Sequence, residues 1–290
     1  MTAMSLGIVL VAAFLHAFWN YLAKKSRNKI VFIWWFILIA CILYAPMFFY
    51  FYFAIEISSV GWVCIIVTGI LHALYFFFVG GSYERGDLSL AYPLARGFGP
   101  LLVPVLAVIL LREQLSPSGI AGIALVVIGI YLIHLRSFSR PSLFEPFAAI
   151  RGKASVWALM TGCTIAAYSL VDKVGVQSVH PPVYIYLMFL ISLLLLTPYV
   201  VIKERKALIP EWQINRGPIM ADGFLVLFTY MLILFAMQMS KVSYVVAVRE
   251  LSIVFSALFG SLWLGEGYRR QRLTGALLIA LGVVFVGLSR

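Results

Sequence analysis

The chain has 290 residues, of which 63% are hydrophobic and 11% charged, and its formal net charge is +11. This composition excludes a soluble globular protein, because soluble domains carry about 25% charged residues. The Lys and Arg residues form short clusters between apolar runs and no basic stripe, so the positive charge does not indicate nucleic-acid binding. A mean hydropathy of +1.02 indicates a chain solvated mainly by lipid.

Ten apolar runs are long enough to cross a hydrocarbon layer about 30 Å thick. The first run carries His16 and Asn20 and is followed by no small-residue cleavage site, which indicates a spanning helix and not a signal peptide. No loop is large enough for a soluble domain. The ten spans are predicted near residues 4–23, 30–55, 60–82, 88–111, 118–135, 154–172, 183–202, 218–239, 242–264 and 272–289.

Four residues recur at one fixed offset of 153 positions, which indicates an internal duplication. The matched pairs are Arg96 with Arg249, Glu113 with Glu266, Gly122 with Gly275 and Gly129 with Gly282. The predicted units are residues 1–136 and 154–290, joined by a connection over 137–153. Because five spans per unit is an odd number, the second copy must enter the membrane in the opposite sense. The predicted fold is therefore an all-α integral membrane protein of ten transmembrane helices in two inverted five-helix repeats.

The distribution of basic residues predicts an orientation. Sixteen of the 22 Lys and Arg residues follow odd-numbered spans, and only four lie in the other loops and at the termini. Positive charge is retained on the cytoplasmic side, so both termini are predicted to lie outside. The predicted location is the cell (inner) membrane, crossed many times.

Two arginines lie inside predicted spans, Arg96 in the fourth and Arg249 in the ninth. A central Arg costs roughly 2.5–3.5 kcal/mol on the lenient insertion scale, so each is expected to face protein or water. Inverted symmetry would bring both to opposite walls of one central space. They either bind an anionic group of a substrate or form buried ion pairs with Glu84, Asp172 or Glu250. Glu250 is set aside as a simple partner of Arg249, because neighbours on a helix point about 100° apart.

Other spans place polar and aromatic residues on shared faces. An intramembrane His is commonly a hydrogen-bonded core residue, but it also titrates where a proton-coupled carrier would need it. Many Trp and Tyr residues have a second interpretation as interfacial belts. The predicted proton-coupling candidates are Glu250, Asp172, His72 and Glu84. The predicted substrate-binding residues are Arg96, Arg249, His16, Trp19, Asn20, Tyr75, Tyr92, Tyr168 and Tyr230.

The fourth span contains Pro93 and Pro100, which remove backbone hydrogen bonds and predict either a hinge or a static kink. The matching ninth span has no proline and is expected to be straight. Glu113 and Glu266 end these two spans and are predicted to act in gating or capping. The matched glycines give the fifth and tenth spans a stripe of small residues that permits close packing within or between subunits.

No cofactor or metal site is expected. Cys41, Cys64 and Cys163 all lie inside apolar segments without a metal-ligand spacing and are predicted to be packing residues. An integral-membrane enzyme is disfavoured, because the sequence has no HExxH motif, no paired carboxylates at an interface and no phosphate-binding loop.

Three segments resemble the EamA branch of the drug/metabolite transporter superfamily: HAFWNYLAKKS, LLREQLSPSGIAGIALVVIGI and LWLGEGYRRQRLTGALLIALGVVFVGL. Lys24 and Lys173 match the family pattern at the end of each first helix. The resemblance covers the whole chain and implies a ten-helix inverted repeat with a cavity lined by helices 1, 3, 4, 6, 8 and 9. Members of this family carry amino acids, other small metabolites or drugs, often outward and often with proton coupling or exchange.

The expected function is secondary active transport of a small polar metabolite, anionic or zwitterionic, by alternating access. In that hypothesis Arg96 and Arg249 hold the anionic group. The alternative is an exporter of cationic drugs, with an aromatic cage of Trp19, Tyr75, Tyr92 and Tyr168 and a charge from Glu250 or Asp172. The expected partners are a small-molecule substrate and the lipid bilayer, with no nucleic acid, and the chain is expected to be a monomer or homodimer.

Overall fold

The computed structural model describes the backbone of residues 1–23, 26–85, 88–133, 135, 153–264 and 270–289. Side chains are described over the same ranges except residues 80–85, 88–96, 153–155 and 259–264. Glu266 and most of the predicted connection, residues 137–152, therefore lie outside the described residues.

Every secondary-structure element in the described ranges is an α-helix, so the predicted all-helical fold is confirmed. Within these ranges six helices, α1, α2, α3, α7, α8 and α11, are long and apolar enough to cross a membrane. In chain order the helices are α1 (Ala3–Ala23), α2 (Lys29–Tyr52), α3 (Ser59–Arg85), α4 (Leu88–Leu110), α5 (Pro117–Ile133), α6 (Lys153–Ser178), α7 (Pro181–Lys203), α8 (Arg205–Met239), α9 (Val242–Arg249), α10 (Leu251–Leu264) and α11 (Arg270–Gly287).

Large apolar side chains cover the outside of the molecule. Ile42 on α2, Leu194 on α7 and Leu277 on α11 are each at least 60% exposed, and many other helical residues share this property. A monomeric soluble protein rarely exposes a contiguous apolar surface beyond a few hundred Å². The exposed apolar side chains are therefore the surface that contacts lipid.

Two predicted spans have wrong limits. The sixth was expected to end at residue 172, but α6 continues to Ser178. Lys173 lies inside this helix, and its Nζ donates to the carbonyl oxygens of Met237 at 2.5 Å and Ser240 at 2.9 Å. The eighth was expected to begin at residue 218, but α8 begins at Arg205 and kinks at Asn215, which has φ −117° and ψ 20°. The charged segment before the kink is helical although it lies outside the apolar run that predicted the eighth span.

The ninth predicted span is broken, so the expectation of a straight helix there is wrong. It forms α9 and α10, which are separated at Glu250. The break is a tightening of the backbone, because Glu250 N donates to Ala247 O at 3.3 Å and Ile253 N to Glu250 O at 2.9 Å, both in the pattern of a 3₁₀ turn. In contrast, α4 runs without interruption from Leu88 to Leu110 across its prolines. Whether Pro93 and Pro100 act as a hinge stays a prediction.

The glycine stripes pack against each other within the chain. A methyl group at Gly122 would lie 2.6 Å from the carbonyl oxygen of Gly282, and one at Gly129 would lie 2.7 Å from that of Gly275. The two contacts run in opposite directions along the chain, so α5 and α11 are antiparallel. Only glycine allows backbones this close, and the predicted close packing of these two helices is confirmed.

Four helices, α6, α7, α8 and α9, each pack against two others and position the polar interior. Helix α6 lies against α3 and α4, and α8 lies against α1 and α2. Helix α7 contacts both α2 and α3, while α9 contacts α4 and α1. The described interior where α3, α6, α7, α8 and α9 approach one another holds the polar cluster considered next.

Candidate functional site

Asp172 on α6 is fully buried and lies at the centre of a polar cluster. Its Oδ1 accepts hydrogen bonds from Thr68 Oγ1 on α3 at 2.5 Å and from the hydroxyl of Tyr184 on α7 at 2.8 Å. Its Oδ2 accepts a hydrogen bond from the hydroxyl of Tyr230 on α8. A buried carboxyl group is costly unless donors satisfy it, and these three hydroxyl groups supply such donors to Asp172.

A glycine on α6 gives Tyr184 access to Asp172. Gly175 follows Asp172 by about one helical turn, and a methyl group there would overlap the ring of Tyr184. Tyr184 itself lies in the first turn of α7, which begins with Pro181 at a position where a missing N–H costs nothing. The local sequence therefore places the Tyr184 ring directly against α6 at Gly175.

Aromatic rings form one wall of the cluster. The imidazole of His72 stacks on the ring of Tyr168 with centroids 4.1 Å apart, and Tyr230 meets it edge-on at 5.2 Å. Tyr75 contacts Tyr168 at 5.8 Å. His72 Nδ1 lies 3.0 Å from the carbonyl oxygen of Thr68, and because a carbonyl only accepts, Nδ1 carries a hydrogen in this contact. The structure thus brings four predicted site residues together around Asp172.

Arg249 and Glu250 lie beside this cluster at the break between α9 and α10, and only 6% and 2% of their surfaces are exposed. Arg249 Nε is 3.9 Å from Glu250 Oε1. The sequence argument that set Glu250 aside as a partner is therefore wrong, because it assumed a regular helix and α9 ends at Arg249. The guanidinium of Arg249 also lies close to the side chain of Tyr168. The guanidinium is held between an acid and the aromatic wall.

The predicted site residues of the first span form a separate group. The rings of His16 and Trp19 meet edge-on at 4.9 Å, and Asn20 Nδ2 donates to the carbonyl oxygen of His16 at 2.7 Å. Trp19 also contacts Phe36 on α2 at 6.2 Å. All three predicted residues are partly buried. The contacts that the structure gives for Trp19 and Asn20 are thus with α1 and α2, not with Asp172.

Several predicted residues have no described side chain. Tyr92, Pro93 and Arg96 lie on α4, and Glu84 lies on α3, in parts where only the backbone is described. Pro100 is buried in the same α4 helix. Their predicted roles in binding, coupling and hinging stay predictions.

Glu113 caps α9 from the connection between α4 and α5. Its carboxylate accepts hydrogen bonds from Val242 N at 2.7 Å and from Ser243 Oγ at 2.6 Å. A negative charge at a helix N-terminus is stabilised by the unpaired N–H groups there. Close by, Ser116 N donates to the hydroxyl of Tyr244 at 2.9 Å. Glu113 thus caps the N-terminus of α9, and its predicted role in gating or capping during transport stays a prediction.

The same end of the molecule gathers the start of α1 and the end of α11. The ammonium group of Met1 donates to the carbonyl oxygen of Ser289, and Lys241 Nζ donates to that of Gln114. Partial burial lowers the pKa of the Met1 ammonium below its usual value, and the charge of Lys241 lowers it further. Carbonyl oxygens thus hold the cations at this end.

Sequence reasoning missed three residues of the buried polar interior. Thr68 lies one turn before His72 on α3, a spacing that could have been noticed, whereas nothing local marks Tyr184 as a partner of Asp172. Asp222 on α8 is fully buried. It carries the same signal that identified Arg249, a charge inside an apolar run. Among the described residues, no group of three or more His, Cys, Asp and Glu side chains could hold a metal ion.

Comparison with known proteins identifies the family. The model of the EamA-like transporter family matches residues 3–135 and again residues 152–288. A solved structure described only as "Crystal structure of protein" is similar over 99% of this chain and 99% of its own, with a TM-score of 0.75 and 16% sequence identity. At that identity the likeness shows a shared fold. Since the family model accounts for nearly the whole chain in two matches, the chain belongs to the EamA-like transporter family.

Proposed function

We propose that this chain is a secondary active transporter that moves a small zwitterionic or anionic metabolite across the cytoplasmic membrane by alternating access. The observation that carries the proposal is the buried cluster of Asp172, Arg249 and Glu250 inside a protein solvated by lipid. Ionisable residues at such depth are costly and mark substrate or ion pathways. Carriers place these sites between two repeated halves, and this cluster combines α3 with α6, α7, α8 and α9.

In this proposal the described helices form ten spans, with α9 and α10 together as the ninth, in inverted repeats of residues 1–136 and 154–290. The two family matches support a duplication. The helix packing also follows this symmetry, in which α1, α2 and α3 of the first repeat correspond to α6, α7 and α8 of the second. The contact of α1 with α8 corresponds to that of α6 with α3, and the contact of α2 with α8 corresponds to that of α7 with α3. The antiparallel contact of α5 with α11 supports the inverted sense of the second copy.

The charges around the cluster favour a zwitterion. Arg249 offers a planar guanidinium, which can bind a carboxylate through two parallel hydrogen bonds. Asp172, Glu250 and the ring of Tyr168 lie near it and suit an ammonium group. Arg96, at the matching place of the first repeat, is proposed to approach the same carboxylate from the opposite wall.

Ligand-induced stabilisation of the purified protein tests this proposal. A thermal-shift screen would compare neutral amino acids, dicarboxylates and tetraalkylammonium ions, since a ligand at 100 times its Kd adds about 2.7 kcal/mol. We expect amino acids to raise the Tm and Arg249→Lys to abolish that shift, because Lys lacks the planar fork. Arg216→Lys, at an exposed site on α8, is the matched control and should keep the full shift. A folded Arg249→Gln protein with the wild-type shift would exclude the proposed role of Arg249.

A second candidate is an exporter of organic cations. The ring wall of His72, Tyr75, Tyr168 and Tyr230 next to Asp172 favours it, because aromatic faces attract cations. In the same screen, tetraalkylammonium ions would then raise the Tm in the Arg249→Lys protein as well. Tyr75→Ala should weaken that shift, since it removes a ring without removing a donor to Asp172.

The proposed orientation places both termini outside. Single cysteines replacing Arg216 and Gln114, both exposed, would be introduced after replacement of Cys41, Cys64 and Cys163. In intact cells a membrane-impermeant thiol reagent should label residue 114 and not residue 216. The reverse pattern would overturn the orientation and leave the inverted repeat unaffected.

A further inference from the structure

Asp222 on α8 is fully buried and has no use in the site described above. Neither of its carboxylate oxygens has a hydrogen-bond partner among the described residues. Thr229, seven residues later, is also buried, and its Oγ1 likewise has no partner in that part of the chain. Residues seven apart on a helix differ by only about 20° in direction. Asp222 and Thr229 therefore share one buried face of α8.

That face packs against α1. Ser5 Oγ donates to the carbonyl oxygen of Ala236 at 3.4 Å, and Ala236 lies seven residues beyond Thr229 on the same face. The two helices are antiparallel, because α8 begins near Asn28, just after the end of α1. Counting two heptads from the Ser5 contact places Asp222 level with Trp19 of α1. We call this contact the α1–α8 seam.

The other neighbours of α8 leave little room beside Asp222. At Gly223 a methyl group would lie 2.5 Å from the side chain of Ile39 on α2. None of the charged or titratable groups that approach α8 pairs or hydrogen-bonds with Asp222 in the described residues. These groups are His16 on α1, Tyr44 on α2, Asp172 and Lys173 on α6, Tyr184 on α7 and Arg249 on α9.

An ionised carboxylate is not compatible with these surroundings. Removing an isolated carboxylate from water without donors costs far more than a marginally stable protein can offset, so such a group takes up a proton. The described conformation therefore holds Asp222 as the neutral acid. Water entering the seam would satisfy both Asp222 and Thr229 and would allow the acid to ionise.

We propose that Asp222 is a proton-binding site whose occupation is required for the α1–α8 seam to close. With the proton bound, the side chain is neutral and α1 and α8 pack closely against each other. When the seam opens, the carboxylic acid transfers its proton to water, and the resulting carboxylate keeps the seam hydrated. The proton thus acts as the ligand of the closed seam. Within the proposed transport cycle, and resting on that proposal, this step would couple substrate movement to protons.

Infrared spectroscopy of the purified full-length protein in lipid vesicles tests the protonation directly. At neutral pH, the wild-type protein should show the carbonyl band of a protonated carboxylic acid, and Asp222→Asn should lose it. Glu211→Gln is the matched control. Glu211 is also buried on α8, but its carboxylate accepts hydrogen bonds from Asn28 N at 3.0 Å and Asn215 Nδ2 at 2.7 Å, so this substitution should leave the band intact. An unchanged band in Asp222→Asn would overturn the proposal.

Opening of the seam is tested with a cysteine at Ala12, a fully buried residue seven positions from Ser5 on the same face of α1. In a background without other cysteines, its reaction with a small thiol reagent is followed against pH. The same cysteine in the Asp222→Asn protein corrects for ionisation of the thiol. We expect the reaction rate with Asp222 present, divided by the rate in the Asp222→Asn protein, to rise with pH. The rise should be up to about tenfold per pH unit, as one proton leaves.

A ratio that does not change with pH would overturn the coupling between the proton and the seam. If Asp222→Asn does not fold, Asp222→Leu, which is neutral and has the same branching at Cγ, gives the same comparison in both experiments. Neither experiment needs a substrate. Failure of the transport proposal and failure of this inference are therefore distinguished.

Discussion

Two aspartates in the interior are equally buried and oppositely surrounded. Asp172 and Asp222 are both 0% exposed, but Asp172 accepts hydrogen bonds from three hydroxyl groups and Asp222 from none among the described residues. Burial alone therefore does not decide whether an intramembrane carboxyl is charged, because the number of donors does. Asp172 is the acceptor on which three side-chain hydroxyl groups converge, and Asp222 is the residue for which proton binding is proposed.

The largest expected effect separates these two residues by stability. Asp172→Ala should lower the free energy of unfolding by about 4 kcal/mol, since each hydrogen bond to a charged group contributes about 1.5–3 kcal/mol and the losses are not additive. Asp222→Asn should change it by less than about 1 kcal/mol, because it replaces one neutral group by another. Denaturant unfolding of both purified variants measures the difference. Similar losses in the two variants would contradict the contrast in charge.

A second pair of variants compares one donor to a charged acceptor with one donor to a neutral acceptor. Tyr184→Phe removes a hydrogen bond to Asp172, and Tyr44→Phe removes one from its hydroxyl to the carbonyl oxygen of Phe224 at 2.9 Å. We expect losses of about 2.5 kcal/mol and about 1 kcal/mol respectively. Equal losses, measured by the same unfolding experiment, would mean that Asp172 is not ionised in this cluster.

A third prediction concerns the space that admits Tyr184. Gly175→Ala would force the ring away from α6 and should cost about 2 kcal/mol through overpacking. Gly7→Ala on α1 is the matched control, because a methyl group there meets nothing within 4 Å. That control should be neutral or stabilising by up to about 1 kcal/mol, since Ala is the better helix former. A neutral Gly175→Ala protein would show that the ring has another route to Asp172.

The helices were predictable because a membrane span needs about 20 apolar residues, and such runs are visible in any sequence. The errors occurred where distant contacts act. Helix α6 continues past Lys173, whose ammonium group donates to carbonyl oxygens 64 and 67 residues away. The break at Glu250 has no proline or glycine to mark it. Local pattern thus predicts which segments are helical and does not predict how far each extends.

The candidate site shows the same limit. His72, Tyr168, Tyr230 and Asp172 were found because polar or aromatic residues stand out in apolar runs, and the structure brings them together. Their partners could not be found in this way, since Thr68 reaches Asp172 from 104 residues away. Asp222 is also a polar residue in an apolar run, but it lies only four residues after the start of the predicted eighth span. A charge so near the end of a span is less conspicuous than one at its centre.

The smallest expected effect concerns Glu113, which has as many donors as Asp172 but is only partly buried. Its carboxylate accepts from Val242 N, from Ser243 Oγ and, at 3.3 Å, from Ser243 N. A comparison of Glu113 with Asp172 therefore keeps the number of donors the same and changes the exposure of the carboxylate. Glu113→Gln should cost about 1 kcal/mol, the usual value of a helix cap, because water competes with the carboxylate for these donors.

Glu56→Gln is the matched control for that variant. Glu56 is exposed in the connection between α2 and α3, and its substitution should change the free energy of unfolding by less than about 0.5 kcal/mol. The cost of Glu113→Gln should also fall at high salt, since screening weakens a partly exposed charge much more than the buried charge of Asp172. A loss at Glu113 that equals the loss at Asp172 and does not depend on salt would contradict this distinction. Donor number alone, without burial, would then determine how strongly a carboxylate stabilises the fold.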